Sequence, residues 1–235
     1  MTPHFAVREG YALYRGPSTD SAMHRHAAFQ VAIAFQGEVA MADDSNDLHH
    51  AAALIVPPMT RHRMLAAGSL LTFFVEPHCA FADWLRERCG DGITAAAELR
   101  GLGEEDVRRA GAHPSSGLDS RLLAAMDLLA DRGEPMPRLA AEVGLSPQRL
   151  RALARHQLGM PLARWRIWLR LRRAAEALRE GQSPADAAIT GGFADQAHFT
   201  RRMREMMGLT PAAVLPVLRP SIAASDVDRD GSAER

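Results

Sequence analysis

Short apolar runs separated by polar turns dominate the chain between Phe29 and Val75. The runs are FQVAIAF, GEVAM, AALIVPP and LLTFFVEP, and runs of this length bounded by turn residues are typical of buried strands. Two prolines, Pro57 and Pro58, and the polar cluster at residues 43–47 interrupt them. Because proline lacks an amide donor and short polar residues favour turns, the pattern predicts several short strands in a small β-barrel or sandwich.

After these strands the apolar residues take on helical spacing. A helix is predicted from about Phe81 to Cys89, and a looser one from Ala95 to Ala110. The residues that follow are rich in Gly, Pro and Ser, which do not continue a helix without cost. We therefore predict an N-terminal domain over 1–112, a linker at 113–118, an all-α domain over 119–218 and a disordered polar tail over 219–235. The fold class is α+β.

Within residues 119–218 one pattern occurs twice. It reads LAAEVGLSPQRLRALARHQLGMP over 139–161 and AAITGGFADQAHFTRRMREMMGLTP over 187–211. Each copy has a small apolar helix, a turn glycine (Gly144 or Gly192) and a second, arginine-bearing amphipathic helix. A helix from about Pro161 to Glu180 joins the copies and would span about 30 Å, close to the pitch of B-DNA at about 34 Å. The pattern predicts two helix-turn-helix units able to reach successive major grooves.

The distribution of charge agrees with a nucleic-acid partner for the second half only. The formal net charge of the chain is +0, but residues 1–118 hold 10 arginines and 14 acidic residues, whereas residues 119–218 hold 15 arginines and 10 acidic residues. A basic surface attracts the phosphate backbone, so a DNA-binding face is expected in the helical domain. Cys79 and Cys89 are too few for a disulfide framework, and no stretch approaches the length of a transmembrane helix. We expect a soluble cytoplasmic protein.

The repeated units resemble the DNA-binding domain of the AraC family of bacterial regulators. The resemblance covers about 95 residues, from Leu122 to Leu215. It depends on Leu139, Ala140, Val143, Gly144, Leu145, Ser146, Leu150, Gly159, Arg170, Leu171, Ala174, Leu178, Ala188, Gly192, Phe193, Asp195, Gln196, His198, Phe199, Arg201, Gly208, Thr210 and Pro211.

Several positions depart from the pattern of the family. Ala152 stands where an arginine is usual and Ala154 where a phenylalanine is usual, which predicts a thinner core and weaker base contacts in the first unit. Met203 replaces an aromatic residue but should fill the space, because methionine packs adaptably. Pro184 is well tolerated as the first helical residue after Ser183.

The resemblance implies that Pro147 to Arg155 and Asp195 to Glu205 are the two recognition helices. For any one exposed arginine, a solvated or ion-paired side chain is the alternative to DNA contact. Trp165, Trp168 and Leu169 are expected to form core under the joining helix. The candidate DNA-binding residues are Pro147, Gln148, Arg149, Arg151, Arg155, Asp195, Gln196, His198, Thr200, Arg201, Arg202 and Arg204. Of these, Arg155, Arg202 and Arg204 are expected to contact phosphate.

Three histidines of the N-terminal domain form a candidate ligand set. His24 and His26 lie two residues apart, so both would point to one side of a strand, and His62 follows a later strand. This arrangement resembles the cupin pattern, in which an HxH pair, a Glu and a later His surround a metal. Gln30 stands where the Glu is usual, and Met59 where a Gly is usual. The histidines either bind a divalent metal or line an organic-ligand pocket of a cupin-like barrel.

These observations favour a sequence-specific transcription regulator whose N-terminal barrel binds a small-molecule or metal effector. The resemblance implies double-stranded DNA as a partner, a homodimer, and contact with RNA polymerase as an activator. The face carrying Phe81, Trp84, Leu85 and Cys89 would suit dimer packing, but could equally cover the barrel core. The alternative function is a cupin-type metalloenzyme with an accessory helical domain, disfavoured by the missing carboxylate and the lack of another catalytic constellation. No catalytic residue is assigned.

Overall fold

The computed structural model describes residues 3–132 and 134–218, in which a β-rich part precedes a helical part. The predicted α+β fold class is confirmed. The tail over 219–235, predicted to be disordered, lies outside the described residues. No helix in the described part of the chain is long and apolar enough to cross a membrane.

The β-rich part consists of two antiparallel sheets. Its strands in the described ranges are β1 (His4–Arg8), β2 (Tyr11–Ser18), β3 (Phe29–Ala34), β4 (Val39–Asp43), β5 (Leu48–Ala51), β6 (Ala53–Val56), β7 (His62–Met64), β8 (Ala67–Val75) and β9 (Thr94–Ala95). Six strands follow the order β1-β2-β8-β3-β6-β9, and three follow the order β5-β4-β7. The four apolar runs of the sequence correspond to β3, β4, β6 and β8, while β1 and β2 were not predicted.

Strand β3 is buried on both of its faces, which explains its unbroken apolar sequence. Val31 and Ile33 belong to one core cluster, and Ala32 and Ala34 belong to a second cluster between the two sheets. Because alternate residues of a strand point to opposite sides, Gln30 shares the interior side with the two alanines. The strand therefore delivers one polar side chain into the interior of the barrel.

The helical elements match the sequence prediction to within two residues at most boundaries. The described α-helices are α1 (Ala80–Arg88), α2 (Glu104–Gly111), α3 (Ser120–Arg132), α4 (Met136–Glu142), α5 (Pro147–Leu158), α6 (Leu162–Arg179), α7 (Pro184–Thr190), α8 (Gln196–Met207) and α9 (Pro211–Leu218). A 3₁₀ helix at Ala97–Gly101 occupies part of the looser predicted helix. Helix α6 has 18 residues, which corresponds to about 27 Å.

The apolar face of α1 covers the core of the barrel. Phe81 and Leu85 are buried in the same cluster as Phe73 and Val75 of β8. Trp84 packs at the edge of this cluster, with its ring stacked on Phe81 at a centroid distance of 5.5 Å. This face therefore covers the chain's own core, and its use in dimer packing stays a prediction.

The helical part is built around α6. Trp165, Trp168 and Leu169 are buried, as predicted. The cluster that contains them also includes Ala12 of β2 and Phe74 of β8. The interior of the helical part is thus continuous with the inner surface of the six-stranded sheet, so the two parts of the chain share a core.

The predicted linker is held in place by one carboxylate of α1. Asp83 accepts hydrogen bonds from the hydroxyl of Ser115 at 2.6 Å and from the backbone amides of Ser116 and Gly117 at 2.8 and 3.2 Å. The next residue, Leu118, is buried. These contacts restrain the connection between the two parts, and the domain boundaries themselves stay a prediction.

Candidate nucleic-acid interface and effector site

The first helix-turn-helix unit consists of α4 and α5. Gly144 in the turn has a φ of +66°, the left-handed backbone that glycine adopts without a Cβ penalty. Ser146 caps α5, because its side chain accepts a hydrogen bond from the amide of Arg149. Leu150 and Leu153 face the core. Ala154, at the position where a larger residue is usual in the family, is fully buried.

The second unit, α7 and α8, repeats this construction. Gly192 in its turn has a φ of +79°, and Asp195 caps α8 by accepting from the amide of His198 at 2.6 Å. Ser183 caps α7 with Pro184 as the first helical residue, as expected. Met203 is buried and fills the position of the usual aromatic residue.

Most candidate DNA-binding side chains are exposed on α5 and α8. The exposed ones are Gln148, Arg149, Arg151, Arg155, Asp195, Gln196, Arg201 and Arg204, and the half-buried ones are Pro147, His198, Thr200 and Arg202. Arg202 also donates to Glu205 at 2.8 Å, so part of its charge is already neutralised inside the protein. The second helix of each unit, α5 or α8, therefore presents a polar face with several arginines to solvent.

The C-terminal end of α8 rests against the N-terminal domain. The amide of Ala22 donates to the carbonyl of Gly208 at 3.3 Å, and the amide of Arg25 donates to the carbonyl of Glu205 at 3.4 Å. The last carbonyls of a helix have no partner within the helix. Here the segment Ser21–Arg25 of the β-rich part supplies two of the missing donors, so it holds α8 directly.

The three candidate histidines lie together next to this segment, which includes His24. His24 and His62 form an antiparallel bridge through their backbones, and the ligand atoms of His24, His26 and His62 all lie within 4.8 Å of one another. The Nε2 atoms of His24 and His26 are 3.0 Å apart. All three side chains are buried. The structure thus brings together the three residues that the sequence singled out.

Two backbone carbonyls orient the rings of the cluster. Nδ1 of His24 lies 2.8 Å from the carbonyl of Ala22, and Nδ1 of His62 lies 3.0 Å from the carbonyl of Thr60. A carbonyl oxygen only accepts, so each Nδ1 carries the proton and each Nε2 keeps its lone pair. Burial lowers the pKa of all three histidines, to about 3 for His62 and well below the usual range for His26. The rings are neutral at pH 7.

Gln30 and Met59 occupy the positions that the cupin pattern assigns to Glu and Gly. Oε1 of Gln30 lies 2.8 Å from Nε2 of His62. Met59 has a φ of +66°, a left-handed conformation that is uncommon for residues other than glycine. Met59 thus takes a backbone conformation that glycine adopts more easily, and a neutral amide at Gln30 replaces the carboxylate of the pattern.

A buried carboxylate anchors α6 to the sheet. Glu76, which follows β8 and is 1% exposed, pairs with Arg172 of α6 and accepts a hydrogen bond from Nε1 of Trp168 at 3.0 Å. Arg172 also donates to the carbonyl of Arg8 at 3.2 Å. Buried charges require such partners, because the interior does not solvate them. This contact ties the helix that joins the two helix-turn-helix units to the N-terminal domain.

A cavity of about 390 Å³ lies between the sheet and the helices. Its walls come from both parts of the chain: Phe5, Ala12, Leu70 and Phe74 from the strands, and Trp168, Ala175, Phe199, Met203 and Val214 from α6, α8 and α9. His24, His26 and Gln30 lie in its wall. The volume is typical of small-molecule sites. The cavity is mainly apolar and touches the helix that carries the second set of DNA-binding candidates.

Comparison with known proteins places the helical half in a recognised family. A family model described as a helix-turn-helix domain matches residues 139–215. The arabinose operon regulatory protein of Salmonella typhimurium is 35% identical over 105 residues, which are 43% of this chain and 37% of that protein. Residues 139–215 therefore form a helix-turn-helix domain of the AraC type.

Other relatives extend the comparison beyond this AraC-type domain. The bifunctional transcriptional activator/DNA repair enzyme Ada of Escherichia coli is 27% identical over 141 residues, 58% of this chain and 40% of Ada. The crystal structure of unsaturated fatty acid bound wild-type ToxT from Vibrio cholerae has a TM-score of 0.59 at 11% identity and covers 92% of this chain and 99% of ToxT. This likeness shows that the overall fold is shared. The chain spans well under half of the two relatives matched by sequence.

Two features of the structure were not found from the sequence. One is the pairing of Glu76 with Trp168 and Arg172, and the other is the contact of Ser21–Arg25 with the end of α8. For the first feature the sequence held only a weak signal, the single acidic residue Glu76 directly after the apolar strand β8. The second has no local signal, because backbone groups make it.

Proposed function

We propose that this protein is a sequence-specific transcription regulator that binds double-stranded DNA through α5 and α8. The observation that carries the proposal is the occurrence of two capped helix-turn-helix units with exposed arginine-rich second helices. Arginine is suited to bidentate contacts with guanine and with phosphate. The length of α6, about 27 Å, supports binding of the two units to successive major grooves.

DNA binding is tested with duplexes recovered by in vitro selection from a random library. The affinity of the full chain for a selected duplex is measured by fluorescence anisotropy at several salt concentrations. We expect enrichment of a defined sequence and a steep loss of affinity with salt, because phosphate contacts release counterions. Failure to enrich any sequence, or salt-insensitive binding, would contradict the proposal.

Substitution Arg201→Ala is expected to weaken binding to the selected duplex by about tenfold, since one good base contact contributes about 1–3 kcal/mol. Arg201 is exposed on α8. The control is Arg109→Ala, which removes another exposed arginine, one that lies 3.8 Å from Glu105, from α2 of the β-rich part. The same anisotropy assay measures both variants, and equal losses would argue that only overall charge matters.

We further propose that an organic effector with a large apolar body binds in the cavity between the sheet and the helices. The apolar walls and the contribution of α8 to them support this. The ToxT structure of similar fold contains an unsaturated fatty acid, so a molecule of that chemistry is a suitable first probe. A ligand in this cavity contacts both the barrel and α8, the second recognition helix, so its binding can change the affinity of α8 for DNA.

Substitution Ala175→Phe is expected to reduce the affinity for oleic acid at least tenfold, because the added ring occupies the cavity that the hydrocarbon would fill. Ala175 lies in the cavity wall on α6. The matched control is Ala163→Phe, at an exposed position of the same helix. Isothermal titration calorimetry measures both, and unchanged affinity in Ala175→Phe would exclude this cavity as the site.

We propose that the chain acts without catalysis, in contrast to the cupin metalloenzyme alternative. The neutral Gln30 in place of a carboxylate and the match to a regulatory protein support this. Oxygen consumption by the iron-loaded protein would favour the enzyme instead. A homodimer and contact with RNA polymerase remain expectations from the family, and sedimentation velocity tests the first.

A further inference from the structure

The histidine cluster has the arrangement of a metal site. The proton on Nδ1 of His24 and of His62 is fixed by a carbonyl oxygen, so their Nε2 lone pairs face the centre of the cluster. Carbonyl groups that bond the outer nitrogen of a histidine are the common means of orienting a metal ligand. In tetrahedral coordination, nitrogens about 2.0–2.1 Å from zinc lie about 3.4 Å apart. The observed separations, 3.0 to 4.8 Å, bracket that value.

The cluster is poorly satisfied without a cation. In the described residues Nδ1 of His26 has no hydrogen-bond partner, so no neighbour fixes the tautomer of this ring, and its Nε2, 3.0 Å from Nε2 of His24, is able to carry a lone pair. Oε1 of Gln30 faces Nε2 of His62 at 2.8 Å, so two lone pairs point at each other unless the amide turns to donate. Buried polar groups are normally paired, and each exception calls for a reason. A metal ion beside these atoms would be bound by the lone pairs that otherwise oppose one another.

We propose that His24, His26 and His62 bind one divalent transition metal ion, with Gln30 as a neutral fourth donor, and that the bound ion stiffens the contact between Ser21–Arg25 and α8. His24 is part of this segment, and its backbone amide bonds His62 at 2.9 Å while its neighbours bond Glu205 and Gly208. A metal bridging the side chains of His24 and His62 therefore restrains the donors that hold the end of α8. The consequence for DNA affinity rests on the proposed function, but metal binding and stiffening do not.

The test uses the full chain without an affinity tag, stripped with a chelator and titrated with Co²⁺ and then Zn²⁺. We expect one equivalent to bind, with the visible absorption of tetrahedral Co²⁺, and the melting temperature to rise with Zn²⁺. His26→Ala should weaken binding at least tenfold. His50→Ala, which removes an exposed histidine from β5, should leave binding unchanged.

Gln30→Glu keeps the test decisive if His26→Ala does not fold. A carboxylate is a better ligand than an amide, so this variant should bind Zn²⁺ more tightly than the wild type. Hydrogen exchange measures the coupling: amides of Ser21–Arg25 should exchange more slowly when Zn²⁺ is bound. Absence of stoichiometric binding in the folded wild-type protein would overturn the site, and binding with unchanged exchange would overturn the coupling. Neither result depends on DNA.

Discussion

Arg172→Met is expected to lower the free energy of unfolding by about 3 kcal/mol, because it leaves the buried carboxylate of Glu76 without its cation. Trp168 would still donate one hydrogen bond, which cannot replace the lost charge. Urea unfolding followed by circular dichroism measures the effect. Since Arg172 connects α6 with the sheet, the loss should affect both parts of the chain in one transition.

Two variants distinguish this explanation from a general effect of removing an arginine. Arg61→Met breaks an ion pair with Asp44 in which both side chains are more than half exposed, and exposed pairs contribute at most about 1 kcal/mol. The double variant Glu76→Gln with Arg172→Met removes both charges and should recover much of the stability. If Arg172→Met and Arg61→Met lowered the free energy of unfolding equally, the buried pair of Glu76 and Arg172 would not hold α6 on the sheet.

Gly208→Ala is expected to destabilise the protein by about 2 kcal/mol or more and to weaken the hold of the N-terminal domain on α8. Gly208 ends α8 with a φ of +67°, where a residue with a Cβ costs about 1 kcal/mol. That Cβ would also lie 2.6 Å from the carbonyl oxygen of Ala22 and 2.7 Å from Nδ1 of His24, so the segment must move away.

Gly159→Ala is a closely matched control for this variant. Gly159 ends α5 with a φ of +68°, and a Cβ there would meet no atom within 4 Å. It should therefore cost only the backbone strain, about 1 kcal/mol. Thermal unfolding gives the stability of both variants, and faster hydrogen exchange of Ser21–Arg25 should occur in Gly208→Ala alone. If the two variants lost equal stability and showed equal exchange, the contact between Ser21–Arg25 and α8 would not contribute to stability.

The helical half could be predicted well because its signals are local. The turn glycines Gly144 and Gly192 and the start of α7 after Ser183 each depend on a few residues, and all three are found where the sequence placed them. The caps at Ser146 and Asp195 are equally local. Strand β2 was missed for the opposite reason. Its residues are interrupted by Arg15 and Gly16, and much of its stability comes from pairing with β8, a distant segment of the chain in which Val75 pairs with Tyr11.

The sequence predicted which histidines form the cluster, but it did not predict that the cluster lies beside the end of α8. The spacing of His24 and His26 indicated a shared side, and the resemblance to the cupin pattern added His62. What the sequence could not provide was the docking of the same segment on α8, because that contact uses backbone atoms brought together only by the packing of α9 and α6 against the sheet. The cavity was expected within the barrel, whereas helices supply much of its wall.

The pairing of Glu76 with Arg172 has a consequence for effector selectivity. Among the cavity-lining residues, all from the described part of the chain, Arg172 carries the only full positive charge, and Glu76 already neutralises it. An acidic head group would thus meet no spare guanidinium, and discrimination between candidate molecules would depend on length and shape. Such a receptor tolerates chemical variety, so several hydrocarbons of similar size should compete for it with comparable strength.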